Sequence, residues 1–377
     1  MPLISRSLDV ETTVEAEFDP FAPPAATPKR SRALRAPNRA DRWHHRTLAV
    51  VCWTYLVGAL SLWLFLRSEA DHRWIATLIL FGPRWIALVP LAILLPAALL
   101  FHRRSLTALV AASLIVLGPV MGLCIPWRSA TAPAPTSTAG PNLRVLTCNI
   151  HRADLNRDAL AALIASAKPD VVTLQDWASR FDDIFPSADG WYTLRDDELC
   201  ILSHYPIRRL RDVGKDNWDK RKQPGSAVCY ELALPQGPVP LIDLHLASPH
   251  RAFEATLHRE GEGAQQINAN SAARQLQSQA LSRFIKTQGR AVIVAGDFNT
   301  PQESNLFTRA WPGLSDAYAT AGFGWGYTYH ARWTDVRIDH IMSGPGWRCR
   351  HCEVGPDVGS PHRPVIADFE WLGASNR

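Results

Sequence analysis

The residues with the chemistry of a reaction site sit at the ends of apolar, strand-like runs in the second half of this sequence. LRVLTCNI (143–150) closes on Asn149, DVVTLQ (170–175) on Gln175 and Asp176, and VPLIDLHL (239–246) carries His245. AVIVAG (291–296) runs into Asp297, Phe298 and Asn299, RIDHIM (337–342) carries Asp339 and His340, and Ser360-Pro361-His362 precedes RPVIADFEW, which ends at Trp371. Singly, Asn149 and Asp297 read as turn residues, and a lone strand histidine as a satisfied structural group. Together these six endings, all acid, amide or imidazole, point to a site. Carboxylates with amides suit a hard divalent cation such as Mg²⁺, which takes oxygen ligands. Imidazole beside carboxylate suits proton transfer near neutral pH. No Ser–His–Asp arrangement, phosphate-cradling glycine loop or HExxH competes with that chemistry.

The elements that must position these groups follow from the apolar pattern. LCILS (199–203) and AVCYELAL (227–234) are further strands. Residues 156–167 read as a helix with Leu160, Leu163 and Ile164 on one face, and 271–287 as another with Leu276, Ala280, Leu281, Phe284 and Ile285 on one side. Strands outnumber helices, so the expectation is an α+β fold of two sheets packed face to face with helices outside. The span 142–372 suits one large domain without internal repeats.

The order Asn149, LQD, LHL, GDFNTP, RIDHI and SPHRPV resembles the endonuclease/exonuclease/phosphatase superfamily, whose members include DNase-I-like nucleases, apurinic-site endonucleases, sphingomyelinases and inositol-polyphosphate phosphatases. The resemblance covers about residues 142–372. GDFN followed by RIDHI and a terminal HRPV is a strong joint signal, although each is weak alone. It implies a four-layer αββα sandwich that hydrolyses phosphate esters with Mg²⁺ or Mn²⁺. Carried over by position, Asp297 orients or activates the attacking water and Asn299 holds the phosphate. His245 is a proton donor or a phosphate ligand. His362 contacts the scissile phosphate and pairs with a carboxylate, Asp339, while Asn149 and Asp176 stand at the metal. Two positions depart from the family pattern. Asp176 replaces a glutamate one methylene longer, and Pro361 stands where the family has an acid. Proline brings neither charge nor ligand, which weakens cation binding. Two readings stay open: a working site with a reduced metal shell of Asp176, Asn149 and Asp339, or a weakly active domain that binds phosphate-bearing ligands or a protein.

The first half of the chain differs in kind. TLAVVCWTYLVGALSLWLFL (47–66), WIALVPLAILLPAALLF (85–101) and LTALVAASLIVLGPVMGLCIP (106–126) are uncharged runs of a length that spans a bilayer. WIATLILFGPR (74–84) is apolar but short, an interfacial or re-entrant segment. Residues 1–46 lack the large apolar side chains of a core and read as a disordered tail, and 128–141 as a Pro/Ala/Thr linker. Lys29, Arg30, Arg32, Arg35, Arg39, Arg42 and Arg46 precede the first run, and Arg103-Arg104 lie between the second and third. The positive-inside rule puts both clusters in the cytoplasm. Three crossings then leave the C-terminal domain outside it, in an inner or plasma membrane.

The basic cluster is thus a topology signal rather than a nucleic-acid patch. A transporter needs polar residues inside its spans, and Thr54 and Ser61 are too mild for that. The substrate class stays open between nucleic acid and a phospholipid headgroup. GFGWGYTYHARW (322–333) offers rings to stack on a base, touch lipid or pack internally, and Arg332 and Arg337 offer charge to a phosphate. Cys349 and Cys352 form the one CxxC; without a second ligand pair they read as a structural pair, free or disulfide-bonded.

Overall fold

The computed structural model describes residues 39–127, 142–151, 155–181, 190–218, 224–257, 262–332 and 334–373. The expected linker and most of the expected tail lie outside these. Contacts separate the chain up to His44, described only as the first turns of a helix, from a body that begins at His45. Among the described residues three helices are long and apolar enough to cross a membrane: Trp43–Glu69, Arg84–Phe101 and Arg103–Val120. The first belongs to α1 (Arg39–Glu69). Residues 39–46 are therefore helical rather than part of a structureless tail, because extending a nucleated helix costs little. The second contains α3 (Val89–Phe101). The third falls short of residue 126. Its helix α4 (Leu106–Ile115) passes into a π turn, Val116–Val120, that contains Pro119. Proline removes a helical donor there, and the chain from Met121 leaves the helix. Cys124 then exchanges two backbone hydrogen bonds with Gly324, at 2.8 and 3.0 Å.

Between the first two spans lies α2 (Trp74–Phe81), the short apolar segment. Its inner face, Ala76, Thr77, Leu80 and Phe81, is buried with Leu66, Val120, Val336 and Ile338. The body that packs on it has fourteen strands among the described residues. In chain order they are β1 (Asn142–Asn149), β2 (Val171–Gln175), β3 (Tyr192–Asp196), β4 (Leu199–Ser203), β5 (Ile207–Asp212), β6 (Ser226–Leu234), β7 (Gly237–His245), β8 (Ile293–Asp297), β9 (Ser315–Asp316), β10 (Tyr329–Ala331), β11 (Thr334–Val336), β12 (Asp339–Ser343), β13 (Trp347–Val354) and β14 (Val365–Trp371). Two six-stranded sheets run β13-β14-β1-β2-β4-β3 and β5-β6-β7-β8-β12-β9, with β10 and β11 as a separate hairpin.

The layers follow from side-chain alternation. Val145 and Val171 of the first sheet face Val228, Leu241, Ile293 and Ile341 of the second, and this is the inner core. Their neighbours Leu146 and Val172 point the other way, onto Leu160, Leu163 and Ile164 of α5 (Arg157–Ala167). Ile242, Leu244 and Val294 point outward onto Ala280, Leu281 and Ile285 of the long helix that follows α6 (His250–Leu257), namely α7 (Gly263–Ile285). The result is helix, sheet, sheet, helix, the αββα sandwich of a DNase-I-like fold. Leu276, expected on the buried side of α7, is 52% exposed, and the buried stripe instead uses Ser271, Arg274, Gln277 and Ser278. Among the described strands only β1–β2 and β7–β8 pair in parallel. The carboxyl ends of these central pairs, one pair from each sheet, meet at the same end of the sandwich.

Candidate active site

At that end the second sheet lines up three ionisable groups by register alone. Asp297, the last residue of β8, lies beside His245 on β7 and opposite Asp339 on β12. Gly296 makes the close pairing possible: a Cβ there, at φ +137°, would stand 2.0 Å from the Leu244 carbonyl oxygen. The first sheet supplies Asn149, whose Nδ2 donates to Asp297 Oδ2 across the gap at 3.0 Å. Asp297 Oδ1 accepts from the Asn299 backbone N–H at 2.8 Å. The Asn299 side chain donates to Leu246 O at 2.9 Å and to Asp297 Oδ2 at 3.2 Å. Both hydrogens of its Nδ2 are thereby engaged, so Asn299 fixes Asp297 and has none left for a phosphate.

His362 enters from the loop before β14. Its Nδ1 lies 2.9 Å from Asp339 Oδ2 and its Nε2 3.9 Å from Asp297 Oδ2. The carboxylate on Nδ1 sets the tautomer and turns Nε2 toward the cavity. Ser360 holds this loop, its hydroxyl donating to Asn149 O at 2.7 Å and accepting from the His362 N–H at 3.1 Å. The Tyr329 ring meets the imidazole edge-on at 4.9 Å. Pro361 contributes only its carbonyl, which accepts from the His330 N–H at 2.9 Å.

His245 is flanked on both sides, Nδ1 at 3.4 Å from Glu198 Oε1 and Nε2 at 3.7 Å from Asp297 Oδ2. Burial pushes His245 down, but the Glu198 hydrogen bond and the charges of Asp297, Glu198 and Asp176 outweigh it and lift it to about 10. His362 is likewise opposed by burial and raised on balance by Asp339 and Asp297. Asp297 is raised, first by burial and then by the negative charge of Asp339, against the pull of both histidines and Asn149.

All seven residues expected at the site, Asn149, Asp176, His245, Asp297, Asn299, Asp339 and His362, come together, and each except Asp339 lines one cavity of about 460 Å³. Glu198 lines it too and was not anticipated. It follows Asp197 in the turn between β3 and β4, where an acid reads as surface. Arg337 is not on the cavity. It is 2% exposed, over the Tyr318 ring at 4.6 Å and against Cys124 Sγ at 3.6 Å. Of the aromatic run, Tyr329 reaches the site, Trp325 and Tyr327 stack on each other, and Phe323 is exposed. All seven cysteines are free thiols and buried, Cys349 and Cys352 within the inner core.

The donor set fits a divalent cation. Ligand atoms of Asp176, Glu198 and His245 lie within 4.8 Å of one another, as do those of Asp297, Asp339 and His362. The second group is buried and already neutralised in part by His362. The first opens on the cavity beside Asn149 and offers the oxygen-rich surroundings that a hard cation selects. Asp339 Oδ1 is buried without a hydrogen-bond partner among the described residues, a further sign of uncompensated negative charge at this end.

The sequence profile of the Endonuclease/Exonuclease/phosphatase family matches residues 142–362. No curated protein matches the chain. Solved structures with similarity to it include truncated TDP2 of Caenorhabditis elegans, at 19% identity and TM-score 0.47, covering 62% of this chain and 100% of that one. Another is an endonuclease/exonuclease/phosphatase from Beutenbergia cavernae, at 18% and 0.46, covering 62% and 73%. A third is a mannosyl-6-phosphatase of Bacteroides thetaiotaomicron, at 16% and 0.45, covering 60% and 99%.

Proposed function

Because the chain belongs to the endonuclease/exonuclease/phosphatase family, we propose that it is a divalent-cation-dependent hydrolase of phosphate esters, working in the cavity where the two sheets end. The observation that carries this reading is the row His245, Asp297, Asp339 on adjacent strands, with His362 closing on it from the other sheet. Asn149, Asp176 and Glu198 would hold the cation, Mg²⁺ or Mn²⁺, which polarises phosphoryl oxygens when bound. The chain supplies the rest. Asp297, fixed by Asn149 and Asn299, orients the attacking water and accepts its proton. The water oxygen bonds to phosphorus as the ester P–O bond breaks. His245, charged at neutral pH, gives its proton to the departing oxygen. His362, oriented and raised by Asp339, turns its Nε2 to the phosphoryl oxygens as negative charge builds on them.

The three apolar helices support membrane anchoring. The basic residues before the first and between the second and third support a cytoplasmic N-terminus and a catalytic domain outside the cytoplasm. Pro361, which brings no carboxylate, favours a second reading, a phosphate-binding module with weak turnover. The test is hydrolysis of methyl p-nitrophenyl phosphate by the full chain in detergent, with Mg²⁺, Mn²⁺ or chelator. The expected result is cation-dependent turnover that Asp297→Asn lowers by roughly 100-fold or more. Turnover only in Pro361→Asp would support the second reading; none in either protein, with this diester or with the monoester p-nitrophenyl phosphate, sinks the hydrolase.

A further inference from the structure

The cavity has a second wall that the reaction does not use. It is apolar, made of Phe81, Leu246, Phe253, Val336 and Ile338. Four of these come from the C-terminal domain. Phe81 comes from the end of α2, in the segment that joins the first two candidate spans. If both spans cross a bilayer, that segment is confined to one face of it, whichever way the chain is oriented. Phe81 therefore marks where the reaction cavity meets the membrane surface.

The contact is fixed. Phe81 is 8% exposed and meets the Phe253 ring at 5.0 Å. Asp71 Oδ2 accepts from Ser304 Oγ at 2.5 Å, Arg67 donates to Asn305 Oδ1 at 2.6 Å, and Arg84 pairs with Glu303 at 2.9 Å with both side chains buried. Glu303, Ser304 and Asn305 lie four to six residues after Asn299, so the segment between the spans is clamped to the end of the loop that leaves the site. The outer face of α2 is apolar and uncovered: Ile75 is 48% and Ile79 36% exposed, and Trp85 and Ile86 continue it. Such a face is costly in water and favourable in lipid.

We infer that the phosphate ester this site takes is carried on a membrane lipid, its phosphate among the imidazoles and carboxylates and the start of its apolar chain against the wall that Phe81 and Phe253 form together. The inference rests on the hydrolase reading above and names the substrate class of the same site. Charge argues in the same direction. A polynucleotide needs a row of cationic side chains along its backbone. Among the described residues lining the cavity, Arg251 is the one arginine or lysine, against Asp176, Glu198 and Asp297.

The test uses the full chain in phosphatidylcholine vesicles that also carry phosphatidylglycerol or phosphatidic acid. Products are read by mass spectrometry beside three water-soluble esters: glycerophosphoglycerol, glycerol 3-phosphate and a single-stranded oligonucleotide. The expected result is cleavage of a lipid at least 10-fold faster than of its soluble headgroup ester or the oligonucleotide. Phe81→Ala should lower lipid turnover by 10-fold or more while methyl p-nitrophenyl phosphate hydrolysis stays within twofold. Equal turnover of lipid and soluble esters, preference for the oligonucleotide, or equal losses on both substrates in Phe81→Ala overturns the inference and leaves the hydrolase standing. If no ester is turned over, the hydrolase reading falls, and lipid retention decides this one separately. Asp297→Asn taken from nanodiscs of the same lipids should keep a phospholipid by native mass spectrometry and lose it on adding Phe81→Ala; no retained lipid overturns it.

Discussion

At the scale of single residues, Glu198 takes the position that the sequence leaves empty. The motifs named Asn149, His245, Asp297, Asn299, Asp339 and His362, because each lies in a run whose residues must be those types for the site to assemble. Asp176 and Pro361 departed from pattern and left the cation short of a carboxylate. Glu198 sits on a hairpin turn with no motif around it, and only the pairing of β3 with β4 and of β4 with β2 carries it to His245. Glu198→Gln should weaken Mn²⁺ binding by roughly 10-fold, read by calorimetric titration without substrate, with the fold kept; unchanged affinity would remove Glu198 from the cation site. A second residue-scale prediction concerns acid. Burial raises Asp316, but the His340 hydrogen bond and the Arg337 charge overcome it and hold it at about 2, below its usual 3.8. A depressed carboxyl contributes stability that is present above the unfolded value and lost as pH falls from about 4 toward 2. That contribution is on the order of 2 kcal/mol. Asp316→Asn, which keeps the cap on the Ala319 N–H, should lower stability at pH 7 and flatten the acid limb of a melting-temperature profile. An unaltered limb would assign that loss to other groups.

At the scale of elements, periodicity placed α5 and the body of α7 but misjudged which face of α7 is covered. An amphipathic stripe predicts apolar contacts, and here α7 buries Arg274 beside Asp71 at 3.8 Å and under the Phe81 ring at 5.8 Å. Leu276 is left outside because the buried face of α7 is set by Asp71 and Phe81 at Arg274, partners that the local sequence does not contain. The same holds for Arg84 and Glu303, far apart in the chain and nearly excluded from water together. Breaking a buried ion pair strands one charge, while replacing both with apolar residues is close to neutral. Arg84→Ala should therefore cost about 3–5 kcal/mol, and Arg84→Met with Glu303→Leu much less, both measured as melting temperature in detergent. Equal losses for the single and double variants would show that the pair is exposed in solution. Gly122 belongs to this junction: at φ +82°, a Cβ there would lie 1.8 Å from Glu303 Oε1.

At the scale of the whole molecule, the sandwich was legible because its strands are apolar on both faces, and the three helices with the length to span a membrane were legible because they are long and uncharged. Their joining was not. Length alone identified 74–84 as too short to cross; nothing in it names Val336, Ile338 or Ser304 as what it packs against. One consequence is practical. Residues 142–377 expressed alone would expose Val336, Ile338, Phe253 and the unpaired Glu303. That fragment should bind a hydrophobic dye and melt several degrees below the full chain. A fragment that matches the full chain in both would show that the membrane segment adds nothing to the sandwich. The other consequence follows from the clamps at Asp71, Arg67 and Arg84. With the three helices embedded, a site so fastened would have no freedom to leave the plane of the bilayer. With a lipid-borne substrate, as inferred above, it would meet its ester by sliding in two dimensions, and its rate should follow the mole fraction of that ester in the sheet, falling when inert lipid dilutes the surface even though the amount per volume of buffer is unchanged.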